Sequence, residues 1–221
     1  MCGRFVLTAN PEALQMEFNL TNVPAALSPR YNIAPTQPVA VITNEQPDEL
    51  TFYKWGLIPS WSKDMSAASK MINARSETVA EKPSFRSAFK RRRCIIPADG
   101  FYEWKAEGGH KVPQFIHRED RKPFALAGLW EVWHSPEGDE VRTCTILTTD
   151  ANPFMQTIHN RMPVILSKAD YDLWLSPDEL SAQVLQPLMK PYEGQDLTAY
   201  PVSKMVNRPG VDAPELIAPV A

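Results

Sequence analysis

Proline is the feature that most restricts what this chain can fold into. Each proline fixes φ and removes a backbone donor, so helix interiors and central strands tolerate few of them. Twenty-one of the 221 residues are proline and nine are glycine, so proline stands near twice the usual share of about 5%. Long helices are excluded. Between the prolines lie short apolar, β-branched runs: Val39 to Thr43, Leu50 to Trp55, Arg93 to Ile96, Gln114 to His117, Phe124 to Trp130, Val141 to Thr149, Val164 to Leu166 and Thr198 to Val202. These read as strands.

Four short helices are expected. One covers Pro11 to Leu20, with Asn10 as cap and Leu14 and Phe18 four apart; another covers Ser84 to about Arg92. A third runs from Ser167 through Tyr171 and Trp174. The fourth starts at Ser176, with Pro177 at its first position, Glu179 three residues after the cap, and Leu180 and Val184 on one face. Strands and helices do not alternate regularly, which argues against a doubly wound parallel sheet and for a mainly antiparallel α+β domain. There is no repeat, low-complexity tract or long linker, so residues 1–221 are read as one domain.

Charge and cysteine content exclude several classes. Twenty-three Lys and Arg against 26 Asp and Glu leave a net charge of −3, so a nucleic-acid surface has to be a local patch. No apolar run approaches the ~18 residues that span a bilayer, and the first twenty residues lack a signal-peptide pattern. No membrane partner is expected, and the expected compartment is the cytoplasm, at the nucleoid when engaged on DNA. Three cysteines without CxxC or Cys/His spacing argue against a disulfide scaffold and against a metal site. No cofactor is expected. Cys94 and Cys144 sit in apolar runs and read as core thiols; Cys2, beside the initiator methionine, does not.

The polar residues that stand out fall in compact phrases: MCGR at 1–4, RYNIAPTQ at 30–37, WGLIPSW at 55–61, NARSET at 73–78, CIIPADGFYEW at 94–104 and IHNRMPVIL at 158–166. Each places polar side chains beside a strand edge or turn, where binding groups concentrate. In this order, and followed by YPVSKMVNRP at 200–209, they resemble the SOS-response-associated peptidase (SRAP) family over nearly the whole chain. The fold expected is a single domain with a barrel-like or bifurcated central sheet flanked by short helices. The resemblance implies a protein, expected to be monomeric, that shields abasic sites in single-stranded DNA by cross-linking to them.

The implied chemistry is sound at Cys2. Once Met1 is removed, its α-amine and thiol lie on adjacent carbons, and an aldehyde can form an imine with the first and a thiazolidine ring with both. At pH 7 roughly 15% of an α-amine is uncharged against about 0.04% of a lysine. A retained methionine would acylate that amine and block the ring. The resemblance assigns proton transfer to Glu103 and His159, with Asn73 as an orienting group. It places Arg4, Arg75 and Arg161 around the terminus as phosphate contacts and Trp61 as a base-stacking face, a combination that suits single strands with little sequence preference. Some family members carry a second tryptophan where Ser62 stands. Residues 82–93 hold Lys82, Arg86, Lys90, Arg91, Arg92 and Arg93 and no acid, either a solvated face or an auxiliary DNA-facing patch.

Two alternatives remain. The Met-Cys-Gly start also opens N-terminal-nucleophile amidotransferases, in which the thiol attacks an amide and the amine acts as base, though those chains run on into a larger sandwich. A non-covalent binder of single-stranded or modified DNA would use the same arginines and no nucleophile. The peptidase of the family name is compatible with self-release of the first residue by Cys2 with Glu103 or His159.

Overall fold

The computed structural model describes residues 2–220. In chain order the elements are β1 (Phe5–Leu7), α1 (Pro11–Phe18), β2 (Arg30–Ile33), β3 (Pro38–Thr43), β4 (Gln46–Trp55), β5 (Asn73–Arg75), α2 (Arg86–Arg91), β6 (Arg93–Ala98), β7 (Gly100–Glu107) and β8 (His110–Arg118). They continue with β9 (Phe124–His134), β10 (Glu140–Asp150), α3 (Pro153–Gln156), β11 (Arg161–Pro163), β12 (Ile165–Leu166), α4 (Tyr171–Trp174), α5 (Ala182–Leu185) and β13 (Leu197–Pro201). The fold is α+β, with short helices on two sheets.

One sheet runs β13-β8-β7-β1-β2 and is antiparallel throughout. In the other, β10, β4, β3, β6 and β9 pair in a ring, because β10 bonds both β4 and β9. Closure is what the expected barrel-like sheet needed. Its one departure from antiparallel pairing is at β10, which takes β4 and β5 in parallel. One apolar core reaches both sheets, including Phe5, Ile33, Phe101 and Ile116 from the first and Val41, Ile95, Leu126 and Ile146 from the ring. A second cluster of Val6, Tyr102, Phe115, Val202, Val206 and Leu216 covers the first sheet's other face. Cys94 and Cys144 are fully buried in the larger core.

All eight expected strands are present, most of them longer than the apolar run that marked them. Helix α1 begins as expected, with the Asn10 carboxamide oxygen accepting from Ala13 N–H at 2.8 Å, and ends two residues early at Phe18, capped by Asn19, whose φ of 55° is left-handed. The helix expected from Ser176 is a correction: helical geometry starts only at Ala182. The carbonyls of Ser176 and Asp178 accept from the buried Arg93 guanidinium at 2.6 and 3.0 Å, and Leu180 N–H donates to Lys90 O at 3.1 Å. Those tertiary bonds hold the segment out of a helix and override its capping signal.

Candidate active site and nucleic-acid interface

Cys2 lies just before β1, where the chain still follows the first sheet. Tyr102 N–H donates to Arg4 O at 3.0 Å, carrying the β1–β7 pairing outward from Phe5 and Phe101 toward Glu103. Glu103 sits two residues beyond Phe101 on β7 and so shares its face, toward the large core. It is 2% exposed and Cys2 is 0% exposed. Burial pushes the Cys2 thiol well above the ordinary thiol range, and the neighbouring Glu103 carboxylate pushes it further up. The thiol therefore stays protonated at neutral pH. Its Sγ lies 3.9 Å from Arg4 O.

The ring sheet brings the other groups to one end of β10. On one side β5 sets Asn73, Ala74 and Arg75 opposite Ile146, Leu147 and Thr148. On the other, β11 sets Met162 and Arg161 opposite Thr149 and Asp150. Asn73 is tied to the first sheet through shared partners: its amide and the indole N–H of Trp55 both donate to Ile72 O, at 3.1 and 2.8 Å, and Trp55 packs edge-on against Phe5 at 5.2 Å. His159 lies in the turn between α3 and β11. Its backbone N–H donates to Met155 O at 2.8 Å, and its Nδ1 faces the backbone of Arg161, 3.0 Å from the N–H nitrogen and 3.3 Å from the carbonyl oxygen.

The arginines divide by their surroundings. Arg161 is clamped: its guanidinium donates to both carboxylate oxygens of Glu77 at 2.5 and 3.0 Å, to Asp150 Oδ1 at 2.8 Å and to Thr148 O at 2.8 Å. Arg4 turns to the Tyr102 face, where it donates to Asn32 Oδ1 at 2.9 Å and to Val206 O at 2.6 Å. Arg75 is exposed. Trp61 is 64% exposed on a turn anchored by Leu57 N–H to Met71 O, Ile58 N–H to Thr143 Oγ1 and the Trp133 indole to Ser62 O, at 3.1, 3.0 and 2.7 Å. A two-carboxylate clamp makes a phosphate at Arg161 an exchange of partners, whereas Arg75 and Trp61 are open to a ligand as they stand.

Glu77 and Asn32 are the residues that sequence reasoning missed. Both fall inside the phrases NARSET and RYNIAPTQ, but a side chain that positions an arginine carries no separate signal. Among the described residues no three His, Cys, Asp or Glu side chains gather where they could hold a metal ion.

The family model for SOS response associated peptidase (SRAP) matches residues 1–209. The chain belongs to the SRAP family. Abasic site processing protein YoqW of Bacillus subtilis is 45% identical over 221 residues, covering 98% of this chain and 99% of that protein. Abasic site processing protein HMCES of Gallus gallus is 34% identical over 191 residues, covering 76% of this chain and 56% of that one. A crystal structure of a protein from Bacteroides thetaiotaomicron matches with a TM-score of 0.87 at 29% identity over the whole of both chains. Another, from Bordetella bronchiseptica, matches with a TM-score of 0.80 at 29% identity, over 91% of this chain and all of that one. The SRAP fold thus accounts for both sheets.

Proposed function

We propose that this SRAP protein captures abasic sites in single-stranded DNA as a covalent thiazolidine on Cys2, shielding the lesion. The observation that carries the reading is the burial of Cys2, just before β1, in the neighbourhood of the buried Glu103 carboxylate of β7. Its relatives' names, abasic site processing protein, point the same way. Removal of Met1 lies outside the described residues and is part of the proposal, whether an aminopeptidase or Cys2 itself performs it. The protein is taken to act as a cytoplasmic monomer.

The sequence of steps follows from the protonation states. The freed α-amine, not the protonated thiol, adds first to C1′ of the ring-opened deoxyribose. The carbinolamine loses one water to give an imine. Sγ then adds to the imine carbon while the thiol proton ends on nitrogen, closing the five-membered ring. Opening the closed sugar needs a proton at its ring oxygen and a base at its hydroxyl; Glu103 and His159 are assigned these transfers, with Asn73 orienting the sugar. Arg75, Arg161 and Arg4 hold phosphates and Trp61 stacks on a base.

The test is a denaturing gel of mature protein mixed with single-stranded DNA carrying one abasic site. A slow-migrating species should appear, require the abasic site and vanish with Cys2→Ala. Its survival in Cys2→Ala would overturn the assigned nucleophile, and its absence in the wild type would leave the non-covalent binder.

A further inference from the structure

The six basic residues of 82–93 do not form one patch. Arg93 is fully buried, donating to the carbonyls of Trp174, Phe89, Lys90, Ser176 and Asp178. Arg92 pairs with Glu131 at 2.8 Å and Arg91 with Glu179 at 2.9 Å. Lys82, Arg86 and Lys90 are exposed and make no ion pair among the described residues.

These three are spaced by four. Successive turns link them to the site strand: Thr78 N–H donates to Arg75 O at 3.2 Å, Lys82 N–H to Thr78 O at 3.0 Å and Arg86 N–H to Lys82 O at 2.9 Å, after which α2 carries the chain to Lys90. Arg86 and Lys90, four apart on α2, share one face about 6 Å apart along its axis, and Lys82 precedes them in the turn that its carbonyl closes with Arg86 N–H. The arrangement works against local stability. Like charges four apart repel, and Arg86 stands at the first position of α2, where a cation opposes the helix dipole, with no side-chain cap from Phe85 and no acid in the first turn. A solvated helix face gains nothing from this, whereas a polyanion laid along it would neutralise all three.

We propose that Lys82, Arg86 and Lys90 form a phosphate-binding stripe for the single-stranded DNA that flanks the captured lesion, extending the interface outward from Arg75. The proposal rests on the abasic-site reading above. A single row of cations suits one backbone better than the two of a duplex, and its start, two turns from Arg75, fixes which part of the strand it meets: nucleotides beyond those held at the site.

The test measures reversible binding to oligonucleotides carrying a stable abasic analogue that has no aldehyde, so that no cross-link intervenes. A short probe confined to the site is compared with probes extended by a single-stranded tail on either side, for wild type and for the Lys82→Gln, Arg86→Gln, Lys90→Gln variant, with thermal melting as the check on folding. One of the two tails should strengthen wild-type binding, and that gain should disappear in the variant while the short probe binds both alike. Three single-strand phosphate contacts contribute about 2 to the salt slope, so raising salt from 50 to 200 mM should erase roughly twentyfold more of the wild type's tailed-probe affinity than of the variant's. A gain that persists in the variant, no gain from either tail, or a gain seen only when the tail is duplex would each overturn the stripe. Failure of the Cys2 chemistry would show separately, as no cross-link to any true abasic substrate, and leaves this binding comparison intact.

Discussion

The two carboxylate and imidazole groups proposed to move protons should govern rate and leave DNA affinity alone. Glu103→Gln keeps the shape of a 2%-exposed side chain and removes its base, so cross-linking at saturating DNA should slow by about 10²- to 10⁴-fold. His159→Ala should slow both formation and reversal of the adduct, by microscopic reversibility. Time courses with saturating substrate across pH 5 to 8 check both, and wild-type rates in either variant would remove that residue from the mechanism. The thiols make a second, independent prediction. Burial raises the pKa of Cys2, Cys94 and Cys144 above the reference of 9.0. The folded chain then keeps protons that the unfolded chain releases, so this stability is complete below about pH 9 and is lost as pH rises above it. Three such groups give a slope of about 4 kcal/mol per pH unit, with Tyr192, pushed up to about 12, adding at the alkaline end. Urea midpoints should hold steady to about pH 8 and drop steeply by about pH 10, less steeply in Cys144→Val; a flat profile would contradict the burial. Cys94 and Cys144 were legible as core thiols because each sits in an apolar run, and the proposed site residues were singled out because each sits in a recognisable phrase. Their supports were not: Asn32 and Glu77 act by holding arginines, and that role depends on which residues the fold brings near.

The strands that the apolar pattern missed are instructive: β1, β2, β5, β7 and β11 carry or adjoin the phrases MCGR, RYNI, NAR, GFYEW and RMP. The candidate site residues are polar, so they interrupt the apolar run that marks a strand, while pairing with β10 in the ring, or with β1, β7 or β8 in the first sheet, supplies the order that local sequence does not. NARSET and IHNR were placed beside strands; in fact each contributes one. The expected helix at Ser176 failed for the opposite reason, a strong local signal overruled by the carbonyl demands of Arg93. Gly56 marks where the WGLIPSW turn is fixed. Its φ is 130°, and a Cβ there would meet Ala68 O at 2.4 Å, a backbone atom that cannot swing aside. Gly56→Ala should therefore cost at least about 2 kcal/mol from strain and overpacking together. Chemical denaturation measures it, and an unchanged midpoint would mean that the Trp61 turn can shift freely.

Taken whole, the molecule hangs the Asn73, Arg75 and Arg161 side of its candidate site on β10, which pairs with β4, β5, β9 and β11. Amides of Thr143 to Leu147 should be among the slowest to exchange with solvent, opening only with global unfolding, while those of 176–181 should exchange earlier; native-state hydrogen exchange distinguishes the two, and early exchange in β10 would refute the hub. The burial of Cys2 also carries a schedule. Its partner Glu103 is translated 101 residues later, and at about 5–20 residues per second that interval is roughly 5 to 20 s. Until β7 has left the ribosome the amino-terminal strand has only β2 to pair with and Cys2 lacks its Glu103 neighbour, so an exopeptidase acting on the nascent chain has that window. After it closes, the same residue is walled in. On the proposed reading, with an exopeptidase removing Met1, this burial sets a clock on maturation, and slowing the exopeptidase or hastening synthesis should leave a larger share of finished chains unable to react.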